Sequence, residues 1–228
     1  MTITLIVIVA ILALFLGWIV SHTINVQPWV PVPDGSNGQE QRLPGAFTRS
    51  RVGLMVFLAA ITSLFALTIS AYSGRMHMGS EHMGSDWVSA PLPAILWLNT
   101  LMLILASLAL HIGWRALVMG IPGRARIGLV IAGLAGILFM AGQMIGWYQL
   151  HADGHAVASN PASSFFYFVT ALHGVHVIGG LVAWARAVFR VFSGTDLDRC
   201  RVTVELCTLY WHYLLVIWIV MFALLLMT

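Results

Sequence analysis

The sequence predicts an all-α, polytopic membrane protein, and two properties of the chain support this fold class. Of its 228 residues, 60% are hydrophobic and only 8% are charged, whereas a water-soluble surface needs about a quarter charged residues. Apolar runs of about 20 residues recur, and each is long enough to cross a hydrocarbon layer about 30 Å thick. A helical bundle in one membrane domain, residues 1–228, is therefore expected.

Six apolar runs predict six membrane-spanning helices. A helix satisfies its own backbone hydrogen bonds in lipid, and the alternating pattern of barrel strands is absent. The first run lacks the basic segment and cleavage site of a signal peptide, so it is interpreted as a helix. The predicted spans are residues 4–22, 52–72, 93–114, 127–147, 164–187 and 202–227.

The arginines predict the orientation of the spans. All eleven basic residues are arginine, and ten of them flank the predicted spans on one side, whereas Arg75 lies on the other. Because short arginine-rich loops stay in the cytoplasm, both termini are expected on the outer, periplasmic side. The net charge of +3 then reflects topology and requires no nucleic-acid partner.

Polar and small residues in the spans predict where helices pack. Asn99, Ser107 and His111 follow each other at intervals of eight and four residues, which places them on one helix face. Gln143 lies within a Gly-x-x-x-Gly pattern, which allows close helix approach. The fourth span is therefore expected to be central to packing. The predicted packing residues are Asn99, His111, Gly136, Gln143, Gly174 and Gly180.

Ionisable residues in the last two spans are candidate functional residues, because such groups are costly in a bilayer. His173 and His176 enter the membrane from the outer side, whereas Glu205 and His212 enter from the cytoplasmic side. At about 1.5 Å per residue, His176 lies ~18 Å and His212 ~15 Å from its own end of the span. These two histidines could therefore meet near mid-membrane.

The residues themselves leave several interpretations of these histidines open. His173, His176 and His212 would supply three nitrogen ligands, enough for zinc or copper in a free-standing metalloprotein. Alternatively, glycines bring the helices together and the histidines form hydrogen bonds across them or to lipid headgroups. A methionine- and histidine-rich loop, residues 76–83, could hold copper, although a solvated loop is the simpler interpretation.

Two motifs resemble subunit III of the haem-copper oxidases, the cytochrome c oxidase subunit 3 family. The first runs Ser163-Ser164-Phe165-Phe166, Thr170, His173-Gly174, His176-Val177 and Gly180; the second is Glu205 followed by Tyr210-Trp211-His212-Tyr213. The resemblance is strongest over residues 51–228. Residues 1–50 are then expected to form an extra first helix followed by a cytoplasmic loop. By this comparison the first helix stands where the family has its second helix, so one helix of the family is missing at the amino end.

The resemblance implies a non-catalytic subunit without redox cofactor, so haem and copper are expected in partner subunits. It implies packing against the catalytic subunit I, phospholipid in a cleft between helix bundles, and a role in aerobic electron transport. A multi-pass protein of the bacterial inner membrane is expected. The residues implied for the lipid cleft or for packing are Arg51, His173, His176, Glu205, Trp211 and His212.

Three positions depart from the family pattern. A membrane-embedded carboxylate of the family is replaced by Ile61, another by Gly146 and a third by Leu215. Because these side chains cannot exchange protons, a role in proton uptake is doubtful, and Glu205 is the remaining intramembrane acid. An accessory subunit of a nitric oxide reductase-type complex is therefore the alternative within the same superfamily.

Overall fold

The computed structural model describes residues 45–81, 92–155, 160–194 and 196–227, and all of its regular elements are α-helices. Five helices follow one another along the described chain. They are α1 (Gly45–Glu81), α2 (Ile95–Val118), α3 (Pro122–Ala152), α4 (Pro161–Phe192) and α5 (Leu197–Leu226).

All five helices are long and apolar enough to cross a membrane, which confirms the second to sixth predicted spans as helices. The first predicted span, residues 4–22, lies outside the described residues, so six spans and the orientation of the termini stay predictions. Each observed helix is longer than its predicted span, because the apolar pattern ends at the membrane interface whereas the helical backbone continues beyond it.

The chain divides into two compact units, Met1–Gly53 and Leu54–Thr228. The only described part of the first unit is residues 45–53, at the start of α1. The second unit contains the rest of α1 and all of α2 to α5, and every contact discussed below lies within it. The single-domain organisation expected from the sequence stays a prediction.

Helices α2 to α5 form a four-helix bundle in which each helix packs against two others. Helix α2 packs on α3 and α5, and α4 also packs on α3 and α5. Short connections join α2 to α3 and α4 to α5, and Gly120 and Gly194 end the preceding helices with φ angles of 75° and 67°. Only glycine adopts such angles without strain, so the chain reverses there and consecutive helices run antiparallel.

The packing of α3 is inverted relative to a helix of a soluble protein. Its small residues, including Gly128, Gly133 and Gly136, are buried, whereas large residues such as Ile127 and Leu134 are exposed. Lipid is as apolar as these side chains, so helices associate through close backbone approach instead of through burial of large side chains. Helix α3 packs on α2 and α4, and each of the other three bundle helices also has two neighbours, so the predicted central role of this span stays a prediction.

The connections between α2 and α3 and between α4 and α5 lie at the same end of the bundle. Nε of Arg201, in the first turns of α5, donates to the carbonyl of Leu117 at the end of α2, at 3.0 Å. The guanidinium of Arg126, near the start of α3, lies 5.2 Å from the ring centre of Phe192 at the end of α4. This arrangement supports the prediction that the arginines of these loops share one side.

Candidate functional site

The buried polar residues of α2 and α3 pair with each other. Nδ2 of Asn99 donates to Oε1 of Gln143 at 2.8 Å, and both side chains are only 1% exposed. Gly142 provides the space for this pair, because a Cβ atom there would lie 2.0 Å from Oδ1 of Asn99. Two predicted packing residues are thus brought together in an amide pair between adjacent helices.

A second polar group joins α2 to α5. The hydroxyl of Ser107, which is 2% exposed, bonds to Nδ1 of His212. Nε2 of the same histidine lies 3.5 Å from Nδ1 of His111, one turn further along α2. His212 therefore contacts α2, so the hydrogen bonds of this ring are made to Ser107 and His111 and not to His176.

His173 lies in a cage of aromatic rings. It has no exposed surface, and neither ring nitrogen has a hydrogen-bond partner among the described residues. The imidazole centre lies 5.2 Å from that of Trp218, 5.8 Å from Phe139 and 6.4 Å from Phe65. These contacts are those of a packing residue between α1, α3, α4 and α5.

His176, one turn along α4, has a different environment. Its Nδ1 donates to the carbonyl of Leu172 within the helix at 2.7 Å, and its ring lies 5.4 Å from Phe65. The hydroxyl of Tyr210 donates to the carbonyl of His176 at 2.9 Å. Among the described residues no group of three or more His, Cys, Asp and Glu side chains could hold a metal ion. The three histidines of the sequence alternative therefore do not converge.

Trp211 joins α5 to both α3 and α4. It has no exposed surface, and its Nε1 donates to the carbonyl of Gly180 at 3.2 Å. A Cβ atom at Gly136 would lie 2.5 Å from the tip of the indole ring, so this position leaves space for the tryptophan. At Gly174, by contrast, a Cβ would meet only Cε of Met140 at 3.8 Å, which is ordinary contact.

The other two candidate cleft residues are less buried. Glu205 is half-buried on α5, seven residues before His212. Arg51 is half-buried on α1 but belongs to the first unit, Met1–Gly53. Residues 76–83, interpreted above as a solvated loop that could hold copper, are helical as far as Glu81, at the end of α1, so the loop interpretation is wrong over residues 76–81. The side chains of residues 77–83 lie outside the described part of the chain.

A groove between α1, α4 and α5 was not predicted from the sequence. We call it the α4–α5 groove; it has a volume of about 380 Å³. Leu54 and Phe57 line it from α1, whereas Arg186 and Arg190 stand on α4. In the sequence these two arginines served only to predict the orientation of the spans. The packing of the helices shows that both line the same groove. Its other lining residues are Gly179, Ala183, Thr203, Leu206, Cys207 and Tyr210.

His173, which is buried, and His212, which is half-buried, are expected to respond differently to substitution by phenylalanine. His173→Phe should change the stability by no more than about 1 kcal/mol, because no hydrogen bond is lost and the ring environment is aromatic. His212→Phe should cost about 1–3 kcal/mol, because it leaves the buried hydroxyl of Ser107 without its partner. Thermal unfolding in detergent measures both, with roughly 2–4 °C expected for each kcal/mol. Equal losses would mean that the nitrogens of His173 also hold a partner.

The fold and the site define a helical protein with five membrane-capable helices in its described part, whose histidines on α2, α4 and α5 contact other side chains or backbone of the bundle. Residues 4–227 match the family described as cytochrome c oxidase subunit III. The chain belongs to this family, and it is therefore a subunit type of a membrane oxidase complex. Members of the family normally carry no redox cofactor of their own.

Individual relatives agree with this assignment. The chain is 30% identical over 177 residues to the cytochrome c oxidase subunit 3 of Thermostichus vulcanus, covering 76% of this chain and 85% of the relative. It is 30% identical over 175 residues to the cytochrome c oxidase subunit 3 of Synechocystis sp., covering 75% of this chain and 72% of the relative. It is 28% identical over 175 residues to the probable subunit 3 of Nocardia farcinica, covering 75% and 84%.

The structure places the three positions that depart from the family pattern in ordinary packing environments. Ile61 is 4% exposed on α1, and Leu215 is half-buried on α5. A Cβ atom at Gly146 would lie 3.3 Å from Cγ2 of Ile95, so α2 closely approaches α3 there. These positions contribute to apolar packing, with no group that could carry a proton.

Proposed function

We propose that the chain is the non-catalytic third subunit of a haem-copper terminal oxidase of the bacterial inner membrane. It packs against the catalytic subunit I, which holds the haem and copper, and it supports aerobic electron transport by stabilising the complex. The observation that carries this proposal is the match to the subunit III family over residues 4–227. The bundle of helices with apolar outer faces supports a role inside a larger membrane complex.

The proposal includes structural phospholipid in the α4–α5 groove. Arg186 and Arg190 stand at one end of this groove, and apolar side chains such as Leu54 and Phe57 line it. A guanidinium can form two parallel hydrogen bonds to one phosphate, and the apolar walls suit acyl chains. His173 and Trp211 would contribute indirectly, because they fix α4 against α5. Arg51, His176, Glu205 and His212 stay proposed as lipid-contact or packing residues.

Affinity purification of the full chain from its native membrane tests the proposed function. We expect a catalytic subunit with haem and copper to co-purify and to reduce oxygen. The proposal would be contradicted if the chain co-purified with a complex that reduces nitric oxide. It would also be contradicted if the chain purified alone with its own haem or a tightly bound metal.

His212 provides a sharper test within the purified complex. We expect His212→Leu to weaken assembly or lipid retention, because the Ser107 contact between α2 and α5 is lost, while the haem spectrum of assembled complex is unchanged. In complexes purified in the same way, the Arg186→Gln variant should retain less phospholipid than the Arg199→Gln variant, because Arg199 is exposed and lies outside the α4–α5 groove. Loss of haem or copper signals from fully assembled His212→Leu complex would contradict the non-catalytic role.

A further inference from the structure

A second groove lies between α2 and α3, at the end of the bundle where their connection is. We call it the α2–α3 groove; its volume is about 550 Å³, within the range of about 300–1,000 Å³ that is typical of small-molecule sites. Of the twelve residues that line it, ten are apolar or glycine, and the other two are Arg115 and Arg124. None of these twelve residues belongs to the α4–α5 groove.

The groove exists because the two helices approach each other very closely. A Cβ atom at Gly128 would lie 2.8 Å from the carbonyl oxygen of Ala109 and 3.0 Å from Cα of Gly113. Backbones in contact leave the large side chains on either side to diverge, so Leu108 and Ile112 on α2 face Ile127 on α3 across a furrow. All three are more than half exposed in this structure, at 53%, 53% and 62%.

The length of the groove matches one leaflet of a bilayer. Leu105, which lines the groove nearest to the middle of α2, precedes Arg115 by ten residues, or about 15 Å along a helix. Half of a hydrocarbon core that is about 30 Å thick is also about 15 Å. The arginines therefore lie at headgroup depth when the apolar part of the groove spans the acyl region of that leaflet.

The charges of the groove favour an anionic headgroup. Arg115 is in the last turn of α2 and Arg124 in the first turn of α3. Both side chains are exposed, and neither guanidinium has a hydrogen bond or ion pair within the described part of the chain. In contrast, Arg201 bonds to Leu117 and Asp198. Two free guanidinium groups next to an apolar furrow complement a phosphate attached to an acyl chain.

We propose that the α2–α3 groove binds one anionic phospholipid, whose phosphate is held by Arg115 and Arg124 and whose acyl chain lies along Leu108, Ile112 and Ile127. This lipid is separate from the one proposed for the α4–α5 groove. It seals the outer furrow of the most tightly packed helix pair, where no side chain of the described residues fills the space.

Lipid titration of the purified full chain, followed by native mass spectrometry, tests this site. The probes are phosphatidylglycerol and, for comparison, the zwitterionic phosphatidylcholine. The Arg115→Gln/Arg124→Gln double variant should bind phosphatidylglycerol about 25-fold more weakly at this site, from about fivefold for each arginine near a membrane surface, and should retain one lipid fewer. Arg199→Gln is the matched control, since this exposed arginine lies outside both grooves.

A second variant tests the apolar half of the site. Leu108→Trp should narrow the furrow and weaken phosphatidylglycerol binding while both arginines remain, and it keeps the test valid if the double variant fails to fold. Binding equal to that of Arg199→Gln in both variants would overturn the proposal. So would equal affinity for phosphatidylcholine, or displacement of the signal by inorganic phosphate at millimolar concentration. Because the titration uses the chain alone, its result is independent of the oxidase assignment.

Discussion

Trp211→Ala is expected to lower the stability of the chain by about 3 kcal/mol, among the largest effects of any single truncation. The indole has no exposed surface and fills the space between α3, α4 and α5. Truncating a buried tryptophan to alanine typically costs about 3–5 kcal/mol. We expect the lower end, because the helices are surrounded by lipid and part of the usual transfer term from water is absent.

Thermal unfolding in detergent, monitored by circular dichroism, measures this loss as a decrease in melting temperature of roughly 6–12 °C. Trp97→Ala is the matched control, because Trp97 is 62% exposed on α2, so its truncation leaves no cavity. Trp211→Phe should lie between the two, since it keeps most of the volume but loses the hydrogen bond to Gly180. Similar losses in Trp211→Ala and Trp97→Ala would show that Trp211 is not a packing centre.

The helices could be predicted from the sequence because the apolar runs report directly on membrane spans. The structure begins α4 at Pro161, three residues before the predicted span 164–187, and Asn160 caps it by accepting a hydrogen bond from the backbone of Ser163. The ends of helices could not be read as well. At α1 the apolar pattern predicts residues 52–72, whereas the helix runs over Gly45–Glu81, because hydropathy does not register a helix that continues outside the membrane.

The relation between His176 and His212 illustrates what periodicity cannot provide. Counting residues placed the two histidines at similar depth, and the bond from Tyr210 to the carbonyl of His176 agrees with that depth. Spacing along one helix fixes which residues share a face, but not toward which neighbour that face is turned. In the structure His212 turns toward α2 and bonds to Ser107 and His111. In the same way, the hydrogen bond between Asn99 and Gln143 could not be predicted without knowing that their helix faces are turned toward each other.

The arginines carry more information in the structure than in the sequence. Their distribution among loops predicted topology, and that use required no knowledge of packing. Which arginines are available to a ligand depends on helix ends that meet only in the fold: Arg201 bonds to a carbonyl of α2 and Arg126 stacks on Phe192, whereas Arg115 and Arg124 share an open groove. The proposed lipid sites therefore could not have been located from the charges of the sequence alone.

Gly128→Val is expected to separate α2 from α3 and to lower the stability by about 3 kcal/mol or more. The first atom added would lie 2.8 Å from the backbone oxygen of Ala109, and backbone cannot move aside as a side chain can. Overpacking of this kind usually costs about 1–3 kcal/mol, and valine adds two further methyl groups to the clash. At Gly136, by contrast, the nearest atom is the ring tip of Trp211, which belongs to a side chain and not to the backbone.

Gly123→Val, on the same helix, is the matched control, because a Cβ atom at Gly123 would meet nothing within 4 Å. Both variants place the same β-branched residue in α3, so differences in helix propensity are small compared with the clash. We expect the melting temperature of Gly128→Val to fall by roughly 6–12 °C while that of Gly123→Val changes by less than about 4 °C. Comparable melting temperatures for the two variants would contradict the close approach of α2 and α3 from which the α2–α3 groove arises.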